Sequence, residues 1–499
     1  MLFNSYIFIL LFLPIAVVGY YVINQSTWNK RESLGLVWLS LVSFCFFAYA
    51  EIRMLPVLAG SILINYFFVY LLKKRKWEKQ KKWILALGII IQLLILFYYK
   101  YTEFFLEMIE EFIEVNHDFS VKVPLGISFF TFSQLSWLID SYRDSEREKQ
   151  SFLEYCTYVT FFPKLTMGPI ALQKDILPQL RETKRKVINY ENLSKGLYLF
   201  SLGLAKKVLI ADTLAKIVSI GYTEVENLNS ITALVVMISY TLQLYFDFSG
   251  YCDMAMGVGF FFNIHLPINF NSPYKSKSIS EFWQRWHMTL TQFFTTYLYI
   301  PLGGSRKGKI RTYWNTFFVF LVSGLWHGAN WTFLFWGALH GAFMVLEKIG
   351  KDLGIGLKNL PSFVVKIKNI SQWLFTFCFI NIAWVFFRAE SMEQAIIFLN
   401  RLISGGWQLP QKIKDYVLDI IELRILLRFG IRGIVETHIG VIILLLLVSL
   451  VLVCLFGKNT NEKTKNFNYS LGKGILTLVF LVWSIISLSN ITEFLYFEF

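Results

Sequence analysis

Apolar segments of about 20 residues recur along this chain, and they constrain its fold more than any other feature. Residues 437–456, for example, contain no Asp, Glu, Lys or Arg. A helix of about this length spans a bilayer and satisfies its own backbone hydrogen bonds. Soluble chains carry about 25% charged residues, whereas this chain carries 16% and is 55% hydrophobic. We therefore predict an all-α polytopic membrane protein, one multipass domain over residues 1–499 with about eleven to thirteen transmembrane helices.

Basic and acidic loops alternate in the first quarter of the chain. The loop Lys73–Lys76 is strongly basic, and short basic loops remain in the cytoplasm. Counting spans backwards from this loop places the N-terminus outside. Tyr6–Ile23 lacks the features of a cleaved signal peptide, so we expect it to remain as the first helix. Counting forwards places outside an acidic loop that contains Glu103, Glu107, Glu110, Glu111, Glu114 and Asp118.

The net charge of +14 does not indicate a nucleic-acid partner. The basic residues lie in short loops between apolar segments, and the aromatic residues lie in the segments themselves rather than on a basic face. Neither a disulfide framework nor a metal site is predicted, because the five cysteines are scattered and form no Cys-x-x-Cys motif.

Several apolar segments are interrupted. The polar residues within 121–141 predict a helix packed inside the bundle. Segment 152–172 contains two prolines, and both of its ends are expected on one face, so we interpret it as re-entrant; 288–302 is interpreted in the same way. Residues 274–287 resemble an amphipathic helix at the cytoplasmic interface, capped by Ser278 or Ser280. No internal repeat is evident, which disfavours a secondary transporter.

Charged and polar residues are concentrated between Asp247 and Gly341, inside or beside apolar runs. One charged residue at the centre of a membrane helix costs about 2.5–3.5 kcal/mol on insertion scales, so such residues face a cavity, pair with each other or do chemistry. We interpret Asp247, Asp253, Asn271 and Arg285 mainly as supports that hold the backbone and the charges of a site in place.

His327 is the strongest candidate for chemistry in this stretch. No Asp or Glu occurs between Glu281 and Glu347, and loss of solvation keeps such a ring neutral, which is the state a general base needs. Trp326 and Trp331 are expected to form walls beside it. His287 could meet it in one cavity as an acid/base or orienting partner, although the residues alone also allow two hydrogen-bonded core histidines.

Other motifs favour structural roles. Gly303–Ile310 nearly fits a phosphate-binding loop, but Ile310 stands where Ser or Thr should hold magnesium, so we interpret it as a basic cytoplasmic turn. The remaining histidines are interpreted as structural: His117, His265, His340 and His438.

At these residues the chain resembles the membrane-bound O-acyltransferase family, in particular its bacterial alginate O-acetylation branch. The resemblance covers about residues 120–390. It rests on runs that occur in the family's order: Asp247–Tyr251, Asp253–Ala255, Asn269–Asn271, Pro273–Tyr274, Phe282–His287, Tyr297–Gly304, Leu325–Ala329, Trp331 and Phe387–Arg388.

The resemblance implies a helical bundle around a thin, funnel-like centre, with residues 120–390 as the catalytic core and 391–499 as additional membrane helices. It implies that His327 is the family's catalytic histidine and His287 its second polar position, with Trp286 and Trp326 among the supporting or substrate-binding residues. The expected co-substrate is a cytoplasmic acyl thioester, acetyl-CoA or an acyl carrier protein, and no cofactor is expected to stay bound. Expected partners are a polysaccharide acceptor, membrane lipid and an extracytoplasmic esterase-like protein, at the bacterial cytoplasmic membrane.

Four alternatives stay open at this point. The same core could serve D-alanyl transfer to teichoic acid, or O-acetylation of peptidoglycan. A polysaccharide or lipid transporter would also need a polar path through the membrane, although it has no chemical need for the two histidine motifs. A non-catalytic membrane scaffold is the fourth.

Overall fold

The computed structural model describes residues 1–28, 30–113, 121–143, 151–354, 361–428, 432–465, 467–468, 470–488 and 494–495. These residues form helices and no strand, which confirms the all-α polytopic prediction. Six of the described helices are long and apolar enough to cross a membrane: Phe8–Gln25, Arg31–Lys73, Arg75–Lys100, Ser230–Phe261, Ser362–Arg388 and Val435–Phe456. The other predicted spans are shorter, broken or more polar, so the total of about eleven to thirteen stays a prediction. His117, part of the acidic outer loop (Glu114, Asp118) and residues 144–150 lie outside the described residues.

The α-helices follow one another in this order: α1 (Leu13–Gln25), α2 (Arg31–Glu51), α3 (Leu55–Lys73), α4 (Lys81–Lys100), α5 (Thr102–Ile113), α6 (Ile127–Arg143), α7 (Phe152–Thr160), α8 (Phe162–Leu165), α9 (Gln173–Arg181), α10 (Tyr190–Ala205), α11 (Asp212–Thr223), α12 (Ser230–Phe261), α13 (Ile279–Arg285), α14 (Met288–Phe294), α15 (Lys309–His327), α16 (Trp331–Asp352), α17 (Ser362–Arg388), α18 (Met392–Leu402), α19 (Gln411–Asp419), α20 (Ile421–Leu426), α21 (Arg432–Phe456), α22 (Thr460–Lys465) and α23 (Leu471–Ile486). Wider π-helical turns occur at Phe8–Phe12, Lys206–Ala211 and Thr295–Tyr299.

Helix α6 lies inside the bundle, as its polar residues predict: 13 of its 17 residues are buried. Gln134 explains why a membrane helix carries amides here. Its side chain donates to Ser61 Oγ of α3 and accepts from Gln92 Nε2 of α4 and the Tyr155 hydroxyl of α7. Hydrogen bonds of this kind join helices where water is absent, so the polar residues of α6 hold four helices together.

The segment predicted to be re-entrant is a broken helix buried in protein. Helix α7 ends where Phe161 leaves the helical region (φ −44°, ψ 103°), α8 adds one turn, and residues 155–172 are all buried. Lys164 is accommodated because its ammonium group donates to Ser133 Oγ at 3.0 Å and lies 4.1 Å from the centre of the Tyr158 ring. Irregular backbone at membrane depth requires such a protein environment.

Helix α12 is the central element, buried over most of its length and packed closely on α10. A Cβ atom added to Gly203 of α10 would lie 2.5 Å from the carbonyl oxygen of Gly250 in α12, so the two backbones touch at this point. The π-helical turn Lys206–Ala211 then follows α10 directly. It places two lysines against α12, at the edge of the candidate site.

The loop after α12 returns to the bundle through two short helices. Ser278 caps α13 by accepting from the Glu281 N–H at 3.1 Å, which confirms one of the two predicted caps. Helix α13 is only seven residues long and its Phe282 and Trp283 are buried. Helices α13 and α14 meet at His287, so this turn delivers the second candidate histidine to the interior.

Candidate active site

His327 is the last residue of α15, where α15 and α16 cross at a pair of glycines. A Cβ on Gly324 would lie 2.3 Å from the carbonyl oxygen of Phe333, and the Cα of Gly337 would lie 3.2 Å from that Cβ. This close crossing brings the His327 ring, which is 3% exposed, into a shell of aromatic rings. The ring centres of Trp326, Phe387 and Trp336 lie 4.8, 5.1 and 5.2 Å from it.

The expectation that Trp331 forms one wall of the site is wrong. Helix α16 begins at Trp331, after its cap Asn330, and the Trp331 side chain is 55% exposed against Phe104. Trp336 lies five residues further along the helix, which turns it to the inner face. Trp326 and Trp336 therefore enclose His327.

The end of α15 is held by α4, a contact that sequence reasoning missed. Lys100 Nζ donates to the carbonyl oxygens of Trp326 (2.6 Å) and His327 (3.0 Å), and the Tyr101 hydroxyl donates to that of Leu325 (3.1 Å). The last carbonyls of a helix have no partner within the helix and carry its negative dipole end, so a cation here is favourable. The only sign of this contact in the sequence is a lysine at the end of an apolar span. Such a lysine is usually interpreted as extending its ammonium group to the membrane surface.

His287 occupies a left-handed backbone conformation (φ 44°, ψ 50°) between α13 and α14. For a residue other than glycine this costs about 1–3 kcal/mol and persists where the surrounding structure imposes it. Here the segment Asn269–Asn271 does so: Met288 N donates to the Asn269 carbonyl at 3.0 Å, and Asn271 N to the Arg285 carbonyl at 2.9 Å. These two bonds clamp the turn on both sides of His287.

The side chain of Asn269 determines which nitrogen of His287 carries the proton. Its Oδ1 accepts from the backbone N–H of Thr289 at 3.2 Å, and an N–H can only donate, so the amide oxygen faces this turn. The same oxygen lies 3.0 Å from His287 Nδ1. Nδ1 of the neutral ring must therefore be the donor, which leaves Nε2 as the nitrogen that can accept a proton. Asn269 belongs to one of the runs that carry the resemblance, but sequence reasoning gave it no role at the site.

The structure brings the two candidate histidines together around Trp326. The Trp326 ring centre lies 4.8 Å from that of His327 and 6.1 Å from that of His287, and Phe248 of α12 packs at 4.8 Å on the other side of His287. His340, which the sequence analysis interprets as structural, packs close to the same cluster. It is fully buried, accepts from Trp283 Nε1 at 3.1 Å and shares the Trp336 ring with His327.

Asp247 and Asp253 are held in ion pairs along α12. Lys207 Nζ lies 2.7 Å from Asp247 and 2.9 Å from Asp212, and the Leu495 N–H donates to the second oxygen of Asp247. Lys206 lies 2.6 Å from Asp253, which also bonds Thr460. Their role as supports of the site stays a prediction.

Arg285, Asn271 and Trp286 also act on the framework of the site. Arg285 pairs with Glu281 at 2.9 Å and donates to the carbonyl of Asn271 at 3.1 Å, while the Asn271 side chain accepts from Asn459 Nδ2 at 2.8 Å. Trp286 is 1% exposed and packs on Phe282, Phe270 and Trp384 with ring centres 5.5, 5.0 and 5.1 Å away. Arg285 and Trp286 directly precede His287 in this turn, and the role of all three residues as supports stays a prediction.

A cavity of about 380 Å³ approaches this cluster between α13, α14, α15 and α16. Its wall includes Trp283, which bonds His340, and Ser323, one helical turn before His327. Lys348 and Lys351 line it as well. The His327 ring itself is not part of the lining of this cavity. Among the described residues, no group of three or more His, Cys, Asp or Glu side chains could hold a metal ion.

The sequence profile of the membrane-bound O-acyltransferase family matches residues 44–389, which contain every residue described above for the histidine cluster. The chain belongs to the membrane-bound O-acyltransferase family. It is similar to a peptidoglycan O-acetyltransferase of Helicobacter pylori, with 40% identity over 432 residues that cover 81% of this chain and 80% of the relative. It is also similar to the Pseudomonas aeruginosa protein named "Probable alginate O-acetylase AlgI", with 35% identity over 82% of this chain and 76% of the relative.

A more distant relative is the teichoic acid D-alanyltransferase of Bacillus subtilis, 28% identical over 48% of this chain and 62% of the relative. As a member of the membrane-bound O-acyltransferase family, the protein is an acyltransferase enzyme. The predicted resemblance is therefore confirmed, and a scaffold or a transporter is excluded as its class. The comparisons do not bear on the roles of individual residues, which stay predictions.

Proposed function

We propose that the protein transfers an acetyl group from a cytoplasmic thioester to hydroxyl groups of an exported polysaccharide. One observation carries this proposal: His327 and His287 arrive from separate helices, lie on the same tryptophan and are enclosed by apolar rings. The relatives named for O-acetylation of peptidoglycan and of alginate support acetyl as the group and polysaccharide as the acceptor. The higher identity to the first favours peptidoglycan over a secreted polymer.

The proposed reaction needs one base. The hydroxyl oxygen of the acceptor attacks the thioester carbonyl carbon, the C–O bond of the ester forms, and the C–S bond breaks. His327 takes the hydroxyl proton and returns it to the departing sulfur, so that the products are an ester and a free thiol. His287, with Nε2 able to accept a hydrogen bond, orients the acceptor or shares the proton.

The donor is proposed to enter through the cavity beside Trp283 and Ser323. Its walls include Val319, Phe320 and Met344, which suit the uncharged arm of a coenzyme A or carrier-protein thioester. Lys348 and Lys351 line the same cavity and supply positive charge for phosphate groups. Acetyl-CoA and an acyl carrier protein both satisfy this chemistry.

The acceptor is proposed to approach from the opposite face, where Lys100 and Tyr101 end α4. With the N-terminus outside, this end of α4 faces the extracytoplasmic side of the bacterial cytoplasmic membrane. An esterase-like partner on that side would receive the acyl group or deliver the polymer. The resemblance alone supports this partner.

The test is His327→Ala, expressed beside Trp331→Ala as a matched control on an exposed aromatic. We expect His327→Ala to remove ester groups from the polysaccharide while polymer amount and membrane insertion stay normal, and Trp331→Ala to leave them unchanged. Mass spectrometry of the polymer reports acetyl and alanyl esters separately. Near-normal acetyl ester in the His327→Ala strain overturns the assignment of His327. Alanyl ester in the parent strain would show that the transferred group is D-alanine rather than acetyl.

A further inference from the structure

A hydrogen bond that the proposed reaction does not use joins the turn of His287 to the buried, broken segment 155–172. Thr289, in the first turn of α14, accepts from the backbone N–H of Ile170 through its Oγ1 at 3.0 Å. Thr289 is 2% exposed, and every residue of the broken segment is buried. The contact is therefore shielded from solvent, where leaving such a donor unpaired is more costly than at a surface.

The direction of each bond in this chain of contacts follows from the groups involved. A backbone N–H can only donate, so the Thr289 oxygen is the acceptor towards Ile170. The single hydroxyl proton of Thr289 is then donated to Asn269 Oδ1, which lies 2.9 Å away and has no proton to give. The same amide oxygen lies 3.0 Å from His287 Nδ1. One hydroxyl and one amide thus link the broken segment to the ring of His287.

Helix α12 holds both ends of this chain of contacts. The Asn269 amide nitrogen donates to Cys252 Sγ at 3.4 Å, so α12 fixes the other side of the amide whose oxygen faces His287. Next to Cys252, the Tyr251 hydroxyl lies 2.7 Å from the hydroxyl of Thr166 in the broken segment. All of these side chains are buried. A buried network in which every contact is made is rigid.

We propose that Thr289 is a positioning residue that sets the tautomer of His287 through Asn269; its effect on the reaction rests on the proposed function. The tautomer of a neutral histidine is set by the hydrogen bond that one ring nitrogen makes. While Thr289 holds the Asn269 oxygen against Nδ1, the proton stays on Nδ1 and Nε2 is the acceptor towards a reactant. Without the hydroxyl the amide is held less firmly, and the proton can move to Nε2. A ring protonated there cannot accept.

The first test measures the tautomer itself and does not depend on activity. Thr289→Val removes the hydroxyl at nearly constant volume, and Thr289→Ser keeps it. The matched control is Thr376→Val, because Thr376 is also buried and its hydroxyl bonds the Gln372 carbonyl of its own helix at 2.8 Å. Solid-state NMR of the full chain in lipid bilayers, with isotope-labelled histidine nitrogens, distinguishes protonated from unprotonated ring nitrogens. Comparison with His287→Asn identifies the signals of His287.

We expect a ring protonated on Nδ1 in the parent protein, in Thr289→Ser and in Thr376→Val. In Thr289→Val a large population protonated on Nε2 should appear. An unchanged tautomer in the folded valine variant overturns the proposal, and so does a parent ring protonated on Nε2. If Thr289→Val does not accumulate in the membrane, Thr289→Ala gives the same comparison, because it lacks the hydroxyl without placing a methyl group there.

The second test asks whether the effect on the reaction passes through His287. Ester formation should fall about tenfold in Thr289→Val, the lower end for loss of an outer partner of a metal-binding histidine, and Thr289→Ser should recover most of it. Residues that act through one group are not additive, so Thr289→Val should cause no further loss in a His287→Asn background. A further tenfold loss there overturns the positioning role. Full ester formation in His287→Asn alone would instead contradict the proposed function of His287, and the tautomer measurement would still test Thr289.

Discussion

Two groups of buried polar side chains contact neighbouring residues of α12, and they are satisfied in opposite ways. Asp247 faces Lys207, which also pairs with Asp212, and Asp253 faces Lys206. Phe248, one residue after Asp247, contacts the histidine cluster. In that cluster the histidines contact aromatic rings and one amide group instead of forming ion pairs. The first group consists of ion pairs between three carboxylates and two lysines. The second is uncharged, and one of its members, His287, is held in a strained backbone conformation.

This difference separates a framework from a reactive site. Buried carboxylates with lysine partners fix helices in place, and removing one partner of such a pair is strongly destabilising. Neutral imidazoles among apolar rings keep the ability to exchange a proton, and strain of the kind found at His287 clusters at functional sites. We therefore expect substitutions in the first group to act on stability and those in the second to act on the reaction.

The largest expected effect on the framework comes from Lys206→Met. The variant leaves Asp253, whose side chain is 4% exposed, with Thr460 as its remaining bonded partner. Removing one member of a buried pair costs about 3–5 kcal/mol. Thermal unfolding in detergent should show this as a marked loss of melting temperature. In Lys206→Met/Asp253→Leu most of the loss should be recovered, and a double variant as unstable as the single one would contradict the framework role.

His287→Asn should lower the rate of ester formation without lowering the stability of the protein. Asparagine adopts the left-handed conformation more readily than histidine, and Asn263 does so in this chain at φ 58°. The variant should therefore melt at the same temperature or higher, while losing the ring nitrogen that orients a reactant. We expect ester formation to fall about 10²-fold, the lower end for general acid–base catalysis. Full activity of the variant would show that His287 has no part in the mechanism. A loss of activity accompanied by a loss of stability would show that His287 has a structural role.

Local features of the sequence predicted much of the framework. The amides of α6, the break near Pro163 and the cap at Ser278 follow from residue types that act within one helical turn. Both histidines were singled out because acidic residues are absent around His327 and because the motifs resemble a family. These signals do not require knowledge of which helices are neighbours.

The parts that were missed all depend on contacts between distant segments. Lys100 caps a helix that ends 227 residues later in the chain. Asn269 acts through the turn that it clamps, and Trp336 replaces Trp331 because the starting point of α16 sets the direction of both side chains. No pattern within one segment distinguishes these residues from others of their type.

Lys100→Met tests the hold of α4 on the end of α15 and should have an intermediate effect. Methionine keeps the length of the side chain but donates no hydrogen bond, so the carbonyls of Trp326 and His327 lose their cation. A charge at a helix end is worth up to about 2 kcal/mol in partly buried sites, and we expect a roughly tenfold lower kcat with an unchanged KM for the donor. Lys100→Arg should restore part of the rate, because it keeps the charge and the donors. An unchanged kcat in Lys100→Met would show that the end of α15 does not need this contact.

The smallest effect is expected for Trp331→Ala, which we compare with Trp336→Ala at the cluster itself. Trp331→Ala removes a side chain that is 55% exposed, and exposed substitutions stay within about 0.5 kcal/mol. Trp336→Ala removes a fully buried ring that contacts both His327 and His340, where a large-to-small change costs about 3–5 kcal/mol. Thermal unfolding and ester analysis of the two variants measure which tryptophan encloses the site. Trp331 lies at the outer start of α16, so we expect its substitution to have the smaller effect. Equal effects of the two substitutions would contradict the position of Trp336 at the site.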